Sequence, residues 1–303
     1  MADDELDLSA PALTAEDCLR IDDPYFTPET VAIVTGAASG IGRATAVALA
    51  VNGLTVVGAD IDEDGLDETS AIVEDVDADG WFVGVPTDLT DDHDVETVVE
   101  AAAEEGDLRF VANIAGMQHI ASIPDFPMDQ YDRLTDVMVR APFKMAQAAM
   151  PHIQQTDDGE ASNDASENRT QSGDGVGAIA NMSSVHGHYA TKDKAAYITA
   201  KHGITGLTRS IAAEGEGTLR GFSVSVGYVL TPLMVNQIED TAAERGISKR
   251  AVIEDVMLGQ ARTKEMMAPV EVANLFVFGF SSHAKHLNGG DLLFDGGYTH
   301  TYE

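Results

Sequence analysis

An eight-residue turn, Thr35-Gly36-Ala37-Ala38-Ser39-Gly40-Ile41-Gly42, constrains this chain more than any other feature. It follows an apolar run at 31–35 and opens a helical pattern that extends from residue 41 to about residue 51. Glycines in such a turn let the backbone approach a ligand closely, and the helix start offers free N–H groups and the positive dipole end to a pyrophosphate. Glycine spacing alone is a weak signal. Here the strand–turn–helix context and an acid at the end of the next strand candidate, Asp60, 24 residues after Gly36, supply the conditions that strengthen it.

Short apolar runs continue along the chain at 54–59, 81–85, 110–114, 178–182, 222–226 and 292–294, and most are separated by helical patterns. Strand and helix in alternation imply parallel pairing with right-handed crossovers. The expected fold class is therefore α/β, a doubly wound parallel sheet of Rossmann type, with ligands at the carboxyl ends of the strands. At 303 residues and 44% hydrophobic composition the chain can bury one large core, so residues 30–303 read as a single domain. Residues 1–29 hold nine acids against one base, Arg20, without sustained periodicity, and read as an acidic extension. Residues 154–177 hold six acids and one Arg, with Val176 as the only large apolar side chain, and read as a solvated loop insertion.

Composition narrows the function. Asp and Glu number 51 against 18 Lys and Arg, a formal net charge of −33 that would repel nucleic acid and anionic membrane. The chain is expected to bind neither. Such self-repulsion suggests a salt-rich, halophile-like cytoplasm, the alternative being an ordinary acidic protein. No apolar run approaches the roughly 18 residues of a membrane span, and the acidic N-terminus is unlike an export signal, so the expected location is cytoplasmic. The single cysteine, Cys18, excludes an internal disulfide framework and a zinc site of clustered thiolates; no metal is expected.

A carboxylate at Asp60 can accept hydrogen bonds from both adenosine ribose hydroxyls but would oppose a 2′-phosphate, which favours NAD over NADP. Asp62, Glu63 and Asp64 add negative charge, and the sequence offers no nearby Arg or Lys. Asp88 either reaches the adenine or caps the helix that begins near Asp91. Tyr197 and Lys201 lie four residues apart on one helix face, where an ammonium would favour the phenolate and make Tyr197 a proton acceptor. Ser184, 13 residues before Tyr197, supplies a hydroxyl for the substrate oxygen. Three of only seven lysines, Lys192, Lys194 and Lys201, fall close to Tyr197, where they would suit an anionic substrate.

These motifs, together with Asn113-Ile-Ala-Gly116, Asn181-Met-Ser-Ser184 and Asp295-Gly-Gly297, resemble the short-chain dehydrogenase/reductase family from about residue 31 to 298. The resemblance implies an NAD(P) oxidoreductase in which Tyr197 is the acid/base, Ser184 binds the reacting oxygen, and Lys201 holds the nicotinamide ribose and lowers the Tyr pKa. By the same resemblance the cofactor would be held by Gly36, Ser39, Gly40, Ile41, Gly42, Asp60, Asp88, Asn113, Gly116, Tyr197, Lys201 and Thr231.

Within that family Met117-Gln118-His119, Ser184-Val-His186-Gly187, Lys194-Ala-Ala-Tyr197 and the stretch from Gly227 to Gln237 are similar to the D-3-hydroxybutyrate dehydrogenase subfamily. That likeness implies NAD-dependent interconversion of (R)-3-hydroxybutyrate and acetoacetate. Gln118, His186, Lys194 and Gln237, with Ser184, would hold a small anionic hydroxy or keto acid, and the assembly would be a homotetramer. His186 as an ordinary loop histidine is the alternative at that position. Two positions depart from the family pattern: Met138 stands where an Asn supports a proton relay, and Val226-Gly227 stands for the usual Pro-Gly. Reduction of a 3-oxoacyl thioester, or turnover of a sugar or secondary alcohol, is the alternative chemistry. A cofactor-binding regulatory protein with weakened catalysis is a third reading, against which the joint presence of Ser184, Tyr197 and Lys201 argues.

Overall fold

The computed structural model describes residue 8, residues 10–155 and residues 177–301. Seven strands form one parallel sheet in the order β3-β2-β1-β4-β5-β6-β7. They are β1 (Thr30–Thr35), β2 (Thr55–Asp60), β3 (Trp81–Pro86), β4 (Asp107–Asn113), β5 (Gly177–Met182), β6 (Leu219–Val226) and β7 (Asp291–Phe294). All seven apolar runs are strands, because a strand buried on both faces has little room for polar residues. Two begin three residues before their apolar runs. Asp107 and Arg109 at the start of β4 form an ion pair at 2.5 Å, and Arg220 in β6 is buried against backbone carbonyls.

Period-two alternation divides the core between the two faces of the sheet. Ala32, Val34, Phe110, Ala112, Ala178 and Ala180 pack under α1 (Gly40–Val51), α2 (Glu63–Asp75) and a late helix, Pro269–Phe280. Val31, Ile33, Leu108, Val111 and Ile179 pack on the other face. There they meet α3 (Asp92–Glu105), α5 (Ala141–Gln155) and α6 (Ala195–Glu214). Between α3 and α5 lies α4 (Met128–Thr135), joined to α5 by a π-helical stretch, Asp136–Arg140. After β6 come α7 (Pro232–Arg245) and the single turn α8 (Lys249–Ala251), which makes Pro269–Phe280 α9. None of the described helices is long and apolar enough to cross a membrane.

Much of the acidic extension is integral to the domain. Cys18 and Phe26 are buried in the core that contains α1 and α9, with Leu13, Ala15 and Ile21 packed against it. Polar contacts fasten the same stretch: the Leu19 amide donates to Asn274 Oδ1 at 2.7 Å, the Ile21 amide to Asn52 Oδ1 at 2.9 Å, and Asp23 Oδ2 accepts from the Ser282 amide at 2.7 Å. Of the acidic insertion at 154–177, Gln154 and Gln155 end α5 and Gly177 opens β5; residues 156–176 lie outside the described residues.

Strand order reverses at β1, whose chain continues to β2 on one side while β4 pairs on the other. The crevice outside these carboxyl ends is where a doubly wound sheet binds its ligand.

Candidate active site

The turn after β1 has the shape that an anion needs. Gly36 has φ +72, and a Cβ there would stand 3.0 Å from Ala115 Cα; at Gly42 a Cβ would fall 1.9 Å from the Gly36 carbonyl oxygen. Side chains are thus excluded at both positions, and the α1 backbone approaches the turn directly. Ser39 holds the N-cap position without a side-chain capping bond, and the first turn of α1 carries no acid. The helix start is therefore open to a phosphate, which these residues fit.

From this turn a cleft of about 410 Å³ runs to the end of β5 and the start of α6. Its walls include Gly36, Ser39, Gly40, Ile41, Gly42, Asp60, Asp88, Gly116, Ser184, Tyr197, Lys201 and Thr231. Asp60 Oδ2 accepts the Ala38 amide at 3.1 Å and Oδ1 the Asp62 amide at 3.1 Å, which fixes the carboxylate at the cleft edge. Asp88 is not the helix cap: Asp91 caps α3, while Asp88 Oδ1 accepts from the amide and hydroxyl of Thr90. These bonds hold its carboxyl below the usual range. Thr231 caps α7, accepting from the Met234 amide at 3.3 Å.

Asn113 is bonded within the sheet. Its Nδ2 donates to Asn181 Oδ1 at 2.9 Å, Asn181 Nδ2 donates to Thr208 Oγ1 at 3.0 Å, and both asparagines are buried away from the cleft wall. Asn113 ties β4 to β5 while the residues after it line the cleft. Thr35, without a signal in the sequence, positions that loop by accepting the Ile114 and Ala115 amides at 2.9 and 3.1 Å. A second correction concerns the acid-rich end: Arg43 on α1 does reach the turn, donating to the Ala38 carbonyl.

Ser184, Tyr197 and Lys201 meet at the other end of the cleft. Ser184 Oγ accepts the His186 amide at 3.2 Å and lies near the Tyr197 hydroxyl. Lys201 is buried, donates to the Met182 carbonyl at 2.8 Å, and lies 5.5 Å from the centre of the Tyr197 ring. Burial pushes the Tyr197 phenol up, and the nearby Ser184 hydroxyl opposes it. Burial depresses Lys201 itself, to about 8. In this form of the site the phenol keeps its proton.

The four residues expected to grip a carboxylate are partly assembled. His186 is buried, with Nδ1 3.5 Å from Ser184 Oγ and Nε2 3.1 Å from Thr191 Oγ1, and its ring stands edge-on to Tyr197 at 5.8 Å. Burial first, and the Lys194 charge second, depress its pKa to about 4, so the ring is neutral at ordinary pH. Lys194 occupies the N-cap of α6 and makes no ion pair among the described residues; burial lowers it to about 8. Gln118 follows β4 on a loop whose Ala121 amide donates to the Asp193 carbonyl at 3.0 Å, and Gln237 lies on α7. Gln118 Nε2 and Gln237 Oε1 are buried without a hydrogen-bond partner. No hydrogen bond among the described residues joins Gln237 to the other three.

Met138, within the π-helical stretch, is buried among Leu134, Ala196 and Ala200, with Tyr197 packed against this cluster. Its sulfur stands 3.5 Å from where a Gly116 Cβ would lie. The thioether fills space behind Gly116 and offers no amide.

A phosphate-binding turn at a sheet switch point, leading to a buried Ser and Lys and a partly buried Tyr, defines a dinucleotide-dependent oxidoreductase site. The chain belongs to the short-chain dehydrogenase/reductase family, whose dehydrogenases use NAD(P): residues 36–299 match the family model described as enoyl-(acyl carrier protein) reductase. It is 33% identical over 273 residues to a D-beta-hydroxybutyrate dehydrogenase of Rhizobium meliloti (strain 1021), covering 88% of this chain and 98% of the relative. It is 30% identical over 284 residues to a D-threitol dehydrogenase of Mycolicibacterium smegmatis, covering 93% of this chain and 97% of that one. The crystal structure of levodione reductase superposes with a TM-score of 0.78 at 27% identity, over 91% of this chain and all of that one.

Proposed function

We propose that the chain is an NAD-dependent dehydrogenase that interconverts (R)-3-hydroxybutyrate and acetoacetate. The observation that carries this reading is Lys194, a cation withdrawn from water and lacking an ion-pair partner among the described residues, three positions before Tyr197. A desolvated ammonium gains most from an anionic ligand, and in a chain of net charge −33 its lack of an acid within ion-pair distance among the described residues is notable. The unpartnered amides of Gln118 and Gln237 and the neutral ring of His186 would complete the contacts to a small carboxylate.

In this reading Ser184 donates to the substrate oxygen and Tyr197 Oη exchanges the proton with it. For ketone reduction the protonated phenol gives its proton; for alcohol oxidation a deprotonated phenol must take one. Gly36, Ser39, Gly40, Ile41 and Gly42 would hold the pyrophosphate, Asp60 the adenosine ribose, and Lys201 the nicotinamide ribose. When bound, the nicotinamide supplies the two-electron exchange with the carbinol carbon. Asp60 favours NAD because its carboxylate opposes a 2′-phosphate, and Arg43 is occupied elsewhere.

The test is a panel of NAD-linked oxidations over short hydroxy acids, sugar alcohols and neutral secondary alcohols across a salt range. The highest kcat/KM is expected with (R)-3-hydroxybutyrate. A neutral alcohol or a 3-hydroxyacyl thioester as the best substrate overturns the reading.

A further inference from the structure

Four acceptors converge on Arg43, a residue to which the chemistry above assigns no part. Its Nη2 donates to the Ala38 carbonyl, to the Gly65 carbonyl at 3.2 Å and to Glu68 Oε2 at 2.7 Å, while Nε donates to Thr69 Oγ1 at 3.1 Å. Ala38 belongs to the phosphate-binding turn; Gly65, Glu68 and Thr69 belong to α2. The guanidinium therefore bridges two elements that share no strand pairing.

These elements are in unusually close contact. A Cβ on Gly65 would lie 2.7 Å from Ala38 Cβ and 3.0 Å from its carbonyl oxygen. Thr69 Oγ1 extends the same connection by donating to the Ala37 carbonyl at 2.8 Å. On its N–H side, Ala38 donates to Asp60. The Ala37–Ala38 segment is thus held from one side through its carbonyls and from the other through its amide. Between the carbonyls of Ala38 and Gly65, a cation offsets a dipole repulsion that would otherwise open the contact. A planar fork of five donors suits this arrangement, whereas an ammonium reaches fewer acceptors in one geometry.

We propose that Arg43 is a positioning residue of the dinucleotide site: it clasps the turn to α2, and so keeps the turn's amides and Asp60 facing the cleft. This rests on dinucleotide binding by the turn and not on the hydroxy-acid reading or on the choice of NAD over NADP.

The experiment uses the full chain. NADH and NADPH dissociation constants are measured by fluorescence titration for the parent, Arg43→Ala and Arg43→Lys, and amide hydrogen exchange is followed in the peptide covering residues 36–42 without dinucleotide. Arg43→Ala is expected to weaken both dinucleotides alike by about tenfold, the scale of one charge-assisted hydrogen bond, and to speed exchange in that peptide. Arg43→Lys should fall between. At saturating dinucleotide, kcat should stay within about twofold, because the reacting end is untouched. Dissociation constants within about twofold of the parent, or unchanged exchange at 36–42, overturn the proposal. If Arg43→Ala does not fold, Arg43→Lys decides: parent-like binding and exchange in that variant also overturn it.

Discussion

The Lys201 ammonium lies 5.5 Å from the centre of the Tyr197 ring while it donates a hydrogen bond to the Met182 carbonyl 2.8 Å away. The cation is near enough to act on the phenol through space, but its hydrogen bond goes to the strand below. Burial keeps the phenol protonated, and the nearby Ser184 hydroxyl opposes that shift.

A protonated resting Tyr197 is a donor, so ketone reduction should fall as pH rises and alcohol oxidation should rise. Tyr197→Phe should lower kcat in both directions by about 10²-fold or more, the scale of general acid–base catalysis, with NADH binding retained. Steady-state rates and fluorescence titration on one preparation test this. Near-parent turnover would identify another base.

Lys194 loses its charge as pH rises through about 8. The KM for 3-hydroxybutyrate should therefore be flat below that pH and climb above it, while KM for a neutral secondary alcohol stays level. Lys194→Ala should raise the hydroxy-acid KM by roughly ten- to a hundredfold, one charge-assisted hydrogen bond, and abolish this pH dependence. Equal losses on acid and alcohol would remove Lys194 from the carboxylate site.

Asp60 should set the dinucleotide preference. The parent is expected to show higher kcat/KM with NAD than with NADP, and Asp60→Ala should narrow the ratio by about tenfold or more, one charge contact being removed. A parent preference for NADP would falsify the assignment of Asp60 to the ribose.

His186 makes stability depend on acid. Its folded pKa, about 4, lies below the ordinary 6.5, so the unfolded chain takes up the proton first as pH falls. The contribution is intact above 6.5 and is lost on the way down to about 4. Thermal melts of the parent and His186→Asn across that window should show the shallower acid slope in the variant; parallel slopes would mean that the imidazole is not held neutral.

The net charge of −33 predicts melting temperatures that rise with KCl toward molar concentrations, as screening relieves repulsion among the acids. A melting temperature unchanged over a salt series would contradict this.

The strands were legible because parallel strands covered on both faces can carry little except apolar residues, and the turn because only glycine meets its contacts. Tyr197, Lys201 and Ser184 were legible through fixed spacing on elements of known type. Other features leave no such mark. The π-helical stretch at Asp136–Arg140 adds a residue to a turn without changing composition. Thr35, Thr191 and Arg43 act through bonds to distant or backbone partners, which no local pattern encodes. The bond of Asn113 to Asn181 was not legible because an amide at a strand end suits a cofactor and a neighbouring amide equally well. The packing of residues 13–28 was hidden by their acid content, since the contacts that hold them depend on Asn52, Asn274 and Ser282 far along the chain.

That last arrangement bears on how the chain reaches its native state. Leu19 and its acceptor Asn274 are 255 positions apart, so during synthesis the early segment leaves the ribosome long before the helix that receives it exists. The sheet edge-to-edge order can be laid down while residues 13–28 still wait, and their docking must close the longest loop in the fold. Chains shortened before residue 269 would lack α9, part of the core in which Phe26 and Cys18 are buried, a state open to aggregation or capture by chaperones. An early segment thus waits for a late helix.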